Sequence, residues 1–503
     1  MNQSAQTERA TGAGREPAAP SLPAMPRIDP ACVAMPRFAW MDVPHFFRDP
    51  LSYLLRVRRE RGPCVRLPLG PVMPILVSDP AHIEHVLVTD NKSYKKDLFM
   101  QLLSKEALGQ GLLTSHGELW LRQRRLAQPA FHRDRIAGYA ETMVRCAEHY
   151  VDRLQVGQQR AVRSDMMELT LHIVSQALFS DDAAVPTQDV SRALDLLMQR
   201  YADNLLMAFP VLRRLPLPTN RRFHHAMQQF DDTMIALIAR RRASLGTAGD
   251  PEGTACGQKA GPHAGGSGKG SGDLWSMLLA AQDEDGQRMS DRQLRDEVIT
   301  LFSAGHETTA LALTYIFCLL SQHPRVLAAV SSELHAVLGA GPSPRLPTLD
   351  DLPALRMCEA VVLETLRLYP PAWTLGREAV TDTSLAGLAI PRGTQVWMSQ
   401  WVVHHDESLF PQATAFRPER WLDGLQKRLP RFAYFPFGGG PRLCIGTSFA
   451  MVEATLVLAT VARRVHLQVL DPSPRLMPSI TLRPRDGVAA RVIAAPSGVT
   501  HAT

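Results

Sequence analysis

Ten residues near the end of this 503-residue chain constrain it more than any other stretch: Phe437-Gly438-Gly439-Gly440-Pro441-Arg442-Leu443-Cys444-Ile445-Gly446. An apolar residue leads into three glycines, which permit a tight loop with positive φ or a backbone pressed close to a ligand. Pro441 then removes a donor and forbids regular pairing. Directly afterwards, Thr447 to Val465 is an apolar-periodic run that predicts a helix. Cys444 would then stand at a helix N-terminus, where unpaired N–H groups and the helix dipole favour an anion. A thiol held there passes easily to thiolate, a strong ligand for haem iron. The bland alternative is a buried cysteine in a glycine-rich turn, which is what a lone cysteine usually is. A phosphate-binding loop needs lysine and then serine or threonine after its last glycine. Here Gly446 is followed by Thr447 and Ser448, which excludes it.

A second polar island, Ser303-Ala304-Gly305-His306-Glu307-Thr308-Thr309-Ala310, lies within an apolar helix predicted from about Ser290 to Gln322. The His-Glu pair invites a zinc-hydrolase reading, but Ala310 occupies the position where that motif needs its second histidine. A polar interruption of a buried helix costs free energy unless its groups are satisfied or used. Thr308 can donate back to the Ala304 carbonyl. Gly305 leaves room for a planar ligand or dioxygen against the backbone. Glu307 beside Thr308 sets an acid next to an alcohol, the parts of a proton relay.

Other pairs have ordinary readings when taken alone. Glu364 and Arg367, at i, i+3, would be a surface pair worth roughly a few tenths of a kcal/mol. Trp120 and Arg124 share a face of the helix around Leu119 to Arg125, as packing with a snorkelling charge would. His404-His405-Asp406 fits no metal spacing and reads as a charged loop. His224 and His225 read as an exposed helix face.

Composition narrows the class. The chain is 45% hydrophobic, ample for a large core. Its net charge of +6 is modest, and no basic block with interleaved aromatics asks for nucleic acid. Seven scattered cysteines, an odd number with no CxxC pair, point to a reducing compartment, hence the cytoplasm. No apolar run is long enough to span a bilayer. Residues 1–24 lack a signal-peptide core and read as a disordered tail. Gly246 to Gly272 is Gly-, Ala- and Ser-rich, the composition of a flexible surface insertion. Pro44 to Arg61 predicts a helical face. Val65 to Leu69 and Met73 to Val77 predict two strands about a turn. Helical patterns run almost unbroken from Ala81 to His335. Strands are expected again at Thr394 to Met398, Ser479 to Leu482 and Ala490 to Ile493. The fold class is mainly α with small β-sheets.

Taken together, Phe437, Gly440, Arg442, Cys444 and Gly446 resemble the cysteine-ligand loop of the cytochrome P450 family, the haem-thiolate monooxygenases. The Glu307-Thr308 pair resembles that family's acid–alcohol pair, and Glu364, Arg367 and Arg420 (in Phe416-Arg417-Pro418-Glu419-Arg420) resemble its charged triad. The resemblance runs from about Pro36 to Ile493. It implies one large helix-rich domain, residues 25–503, around haem b. Cys444 would bind the iron, and Phe437, Ala304 and Gly305 would lie against the haem. Trp120, Arg124, Arg377 and Arg442 would hold the propionates, while Glu307 and Thr308 would deliver protons. It further implies dioxygen as co-substrate and an apolar small molecule such as a terpenoid, fatty acid or polyketide-like compound. Phe99, Leu102, Leu103, Leu112, Leu113, Ala304, Thr374, Leu375 and Ile480 would line its pocket. Membrane-bound members begin with an anchor helix, so a soluble bacterial-type enzyme is expected, with no transmembrane anchor. Too little chain follows Cys444 for a flavin domain, so a separate ferredoxin or flavodoxin with its reductase is expected. Arg122, Arg125 and Arg431 are candidates for a basic docking patch. A peroxygenase or isomerase, or a non-catalytic haem sensor, would share the cysteine loop and are the alternatives.

Overall fold

The computed structural model describes residues 25–29, 42–69, 73–103, 108–179, 196, 217–246, 274–340, 344–471 and 473–495. The expected tail and the Gly-rich stretch beyond Gly246 lie outside these residues. The helices used below are α1 (Asp42–Arg48), α2 (Pro50–Arg61), α3 (Leu98–Leu103), α4 (Gly117–Ala127), α5 (Arg133–Asp152), α6 (Val162–Phe179), α7 (Pro218–Gly246), α8 (Asp291–Gln322), α9 (Arg356–Leu368) and α10 (Thr447–Ala462).

The centre of the molecule is α8, 32 residues long, which packs against α6, α9 and α10. Ser290 starts it with a capping box, its side chain accepting from the Gln293 N–H while Gln293 answers to the Ser290 N–H. From Leu294 to Leu320 nearly every residue is buried, so this helix is apolar all round and belongs inside. The helical face expected over Pro44 to Arg61 is two helices. Asp49 caps the second, accepting from the Ser52 N–H, and Pro50 fits its first turn.

The described strands are short: β1 (Cys64–Arg66), β2 (Ile75–Val77), β3 (Tyr94–Lys96), β4 (Gln159–Ala161), β5 (Leu375–Ala379), β6 (Thr383–Leu385), β7 (Leu388–Ile390), β8 (Gln395–Met398), β9 (Val465–Val469), β10 (Leu476–Pro478), β11 (Leu482–Pro484) and β12 (Ala489–Ala494). One sheet has the order β1-β2-β8-β5-β3, a second β4-β12-β9, and β6-β7 and β10-β11 are hairpins. Two expectations need correction. β3 and β4 break the supposedly continuous helical region, because three-residue strands are too short to show alternation and are specified by partners some three hundred residues away. Of the strand expected at Ser479 to Leu482, only Leu482 is in a strand, the first residue of β11; Ser479 to Thr481 form the bend between β10 and β11, where the Ser479 N–H donates to the Thr481 carbonyl at 3.1 Å.

His404 also departs from the loop reading. It ends a short helix, Gln400–His404, and is fully buried, with Nε2 accepting from the Phe435 N–H at 3.1 Å. His224 and His225 are exposed on α7, as expected. No helix among the described residues is long and apolar enough to cross a membrane.

Candidate active site

A cavity of about 610 Å³ lies between α8 and the loop carrying Cys444. On α8, Ala304, Gly305 and Thr308 open to it from a stretch that is otherwise buried. Thr308 Oγ1 donates to the Ala304 carbonyl at 2.6 Å, as its sequence position suggested. Glu307 lines the same space but turns another way. Its carboxylate accepts from Thr481 Oγ1 at 3.0 Å and pairs with the Arg483 guanidinium, all three groups being buried. Successive helical residues diverge by about 100°, so an acid and an alcohol adjacent in sequence face different neighbours. Thr481 and Arg483 come from the β10-β11 hairpin, and no motif announced them.

The Cys444 loop is shaped by its glycines. Gly438 and Gly440 have φ of +71° and +67°, the left-handed region. A Cβ at Gly440 would run into the Leu87 carbonyl, and one at Gly439 into the Phe432 ring. The Cys444 N–H donates to the Phe437 carbonyl at 3.1 Å, which closes the loop just before α10. Phe437 and Cys444 both face the cavity. Burial pushes the Cys444 thiol up, against the pull of the Gly446 N–H, Arg124, the Thr447 hydroxyl and Lys96. The easy thiolate expected from the helix terminus is therefore not free of cost: a charged sulfur here calls for a cation against it.

The rim of the cavity carries the opposite imbalance. Lys96, Arg124, Arg377 and Arg442 all line it, with Asp97 the carboxylate among them. Burial, then Arg377 and Arg442, hold the Lys96 ammonium well below its usual range. Burial lowers Arg377 to about 10, and burial with Arg377 lowers Arg442 to about 10. Burial also lowers Arg124. Lys96 and Arg377 are direct cross-strand partners on β3 and β5, and like charges so placed destabilise a sheet. A doubly anionic group with a metal centre would relieve both the crowded cations and the sulfur that faces the cavity, so the residues fit a haem with two propionates. The Arg442 guanidinium lies 4.4 Å over the Trp120 ring and donates to the Ser115 carbonyl at 2.9 Å. Arg124 donates to the Leu443 carbonyl at 2.9 Å, and Arg377 to the Gly376 carbonyl at 2.8 Å. All four expected propionate residues thus meet at one rim; Lys96, which the sequence did not single out, joins them.

Of the expected pocket residues, Phe99, Leu112, Leu113, Ala304, Thr374, Leu375 and Ile480 line the cavity. Leu102 does not. The cavity side of α3 is centred between Phe99 and Met100, and Leu102 falls roughly 110° away on the helical wheel. The Leu103 side chain lies outside the described residues. The basic patch is also revised, since each member already has a carboxylate: Arg122 with Asp283 at 2.6 Å, Arg125 with Glu284 at 2.9 Å and Arg431 with Glu84 at 2.5 Å.

Behind the site, Glu364 and Arg367 are fully buried on α9 and joined by bonds of 2.8 and 3.0 Å. Arg420 reaches the same carboxylate at 3.1 Å, and Trp421 Nε1 donates to it at 2.8 Å. A surface pair it is not.

Comparison with known proteins agrees with this geometry. Residues 36–488 match the Cytochrome P450 family model. Cyclooctatin synthase of Streptomyces melanosporofaciens is 36% identical over 440 residues, 87% of this chain and 88% of that protein. Pentalenene oxygenase of Streptomyces avermitilis is 32% identical over 450 residues, 89% and 92% respectively. The crystal structure of CYP175A1 from Thermus thermophillus superposes with a TM-score of 0.69 at 29% identity, covering 91% of this chain and 98% of that one. A cysteine at the floor of a cation-rimmed cavity, with a threonine-bearing helix across from it, is the arrangement these matches bear on: the chain belongs to the cytochrome P450 family and is a monooxygenase.

Proposed function

We propose that this chain is a haem b monooxygenase that inserts one atom of dioxygen into an apolar, terpenoid-like molecule, with Cys444 as the iron ligand. The observation that carries the reading is a thiol facing a cavity whose rim holds four cations against the single carboxylate of Asp97, a charge distribution that suits a haem with two propionates. When bound, the haem supplies the dioxygen activation and electron transfer that side chains cannot. The chain does the rest. Trp120, Arg124, Arg377 and Arg442, with Lys96, hold the propionates; Phe437, Ala304 and Gly305 line the space for the macrocycle.

Thr308 Oγ1, fixed by its bond to the Ala304 carbonyl, holds a hydroxyl at the cavity wall. Glu307 supplies it with protons from one residue away, after exchanging its bonds to Thr481 and Arg483 for solvent. The apolar wall of Phe99, Leu112, Leu113, Leu375 and Ile480 excludes water and receives a hydrocarbon. Relatives named for cyclooctatin and pentalenene favour a terpenoid over a fatty acid or polyketide. Electrons come from a separate ferredoxin or flavodoxin and its reductase. Exposed pairs such as Arg125–Glu284 are worth little and exchange readily for a partner's carboxylates. No disulfide joins the described cysteines, in keeping with work in the cytoplasm.

Reduced protein treated with carbon monoxide should show the red-shifted Soret band of thiolate-ligated haem. Cys444→Ser should abolish that band along with product formation from dioxygen and NAD(P)H through surrogate redox partners. A sensor would show the band without turnover, and a peroxygenase would turn over with peroxide alone. Thr308→Ala should keep the band yet lower product formed per electron consumed by roughly tenfold or more.

A further inference from the structure

The loop 108–115 carries Leu108, Leu112 and Leu113 onto the cavity wall, and it is held by two consecutive carboxylates of α8. Asp296 accepts from the Gln110 N–H at 2.7 Å and Glu297 from the Leu112 N–H at 3.0 Å. The approach is close. A Cβ on Gly109, whose φ is +60°, would strike the Asp296 carboxylate, and one on Gly111 would strike Thr300 Oγ1 and the Asp296 carbonyl. At its other end the loop is tied to α4 and the rim. Gln123 donates to the Gln110 carbonyl at 2.7 Å, Ser115 Oγ donates to Gln123 at 2.6 Å, and Arg442 donates to the Ser115 carbonyl.

We propose that Glu297 is a positioning residue, a latch that seats the 108–115 loop on α8 and so sets the size of apolar molecule the cavity admits and retains. Asp296 has a counter-ion in Arg295, but Glu297 is fully buried and its Oε1 has no partner. An ionised Glu297 is therefore tolerated poorly while the loop is seated and well once water reaches it. The charged groups around it are Asp296 and Arg295 on the same helix and Asp231 of α7, which Arg295 also engages. The loop 108–115 brings no titratable side chain, and α4 brings Gln123. Burial, with Asp296 adding to it and the Leu112 N–H opposing it, raises Glu297 to about 8. A group raised in the seated state favours that state at low pH. The preference is lost as pH climbs from the ordinary carboxyl range to about 8, and is level above.

The inference rests on the cavity being the substrate site, so its test uses a readout besides turnover. Amide hydrogen exchange of Gln110 to Leu112 is measured in the haem-loaded full chain at pH 6 and pH 8, corrected for intrinsic rate, with the dissociation rate of phenylimidazole as an apolar iron-ligand probe. Protection in the wild type should fall by about tenfold or more between the two pH values. Glu297→Gln keeps an acceptor but cannot ionise, and should show equal protection at both. Glu297→Leu should lose protection at both and release phenylimidazole about fivefold faster. Unchanged exchange in Glu297→Leu, or a Glu297→Gln variant that follows the wild-type pH dependence, overturns the latch. If Glu297→Leu does not fold, the comparison of wild type with Glu297→Gln decides alone. The carbon monoxide band, read on the same samples, separates the two failures: flat exchange with the band present sinks the latch, whereas loss of the band in the wild type sinks the monooxygenase reading.

Discussion

The Cys444 loop and the 108–115 loop both depend on glycines pressed against a neighbour, yet they are fixed by different means. From the Cys444 loop a line of bonds runs into the core. Gly438 N–H donates to the Phe435 carbonyl at 2.9 Å, Phe435 N–H to His404 Nε2, and the His404 carbonyl accepts from Arg367 at 2.8 Å. Arg367 in turn is clamped by Glu364 and donates to the Ala413 and Ala415 carbonyls. Burial and Arg367 keep His404 neutral by holding it well below its usual range, so that Nε2 stays an acceptor. The 108–115 loop has no such chain into the core; two carboxylates of α8, the Gln123 amide and Arg442 each hold it by separate bonds. The loop that carries Cys444 is thus rooted in buried charge, and the loop on the cavity wall hangs on bonds that can be made and broken singly.

The most damaging way to break this contrast is at its root. Arg367→Met leaves Glu364 buried without its main partner and should cost about 4 kcal/mol in urea unfolding, with haem loading reduced alongside. Gly440→Ala forces a side chain into a left-handed residue and against the Leu87 carbonyl. A loss of about 3 kcal/mol is expected in the same measurement. The corresponding change in the other loop, Gly111→Ala, should cost only about 1 kcal/mol, because a loop held by separate bonds with no chain into the core can shift locally. Equal losses for the two alanines would end the distinction.

A pH measurement sharpens it further. Glu453 on α10 is fully buried, and burial raises it to about 8 against the pull of the Thr309 hydroxyl. Its contribution is complete below the ordinary carboxyl range and is lost as pH rises to about 8. The slope should be about 1.4 kcal/mol per pH unit in that window. Denaturation series at pH 5 to pH 8 should show Glu453→Gln with a slope shallower by that amount.

The glycines, the cysteine and the helix start at Thr447 were legible because each is a local demand: backbone conformation, donor removal and periodicity act within a few residues. Thr308 was legible for the same reason, since its partner is its own helix, four residues back. Glu307 was only half legible. Its identity suggested a relay, but Arg483 and Thr481, which hold it, lie some 175 positions away. The carboxylates that pair with the basic patch were not legible because Asp283 and Glu284 come from a segment with no marked pattern, and Leu102 misled because three-residue spacing does not decide which side of a short helix meets a cavity.

By itself, then, the order of residues determined the helix-rich class and the cysteine loop, since these follow from local conformation, whereas Arg124, Arg377 and Arg442 were marked out only by the family resemblance. Only the folded chain decided that Lys96 stands opposite Arg377, that Glu307 is shared with a distant hairpin, and that a loop without any motif is seated by Glu297. Those facts are set by strand register and by which buried charges can find partners, and both depend on contacts between segments hundreds of residues apart.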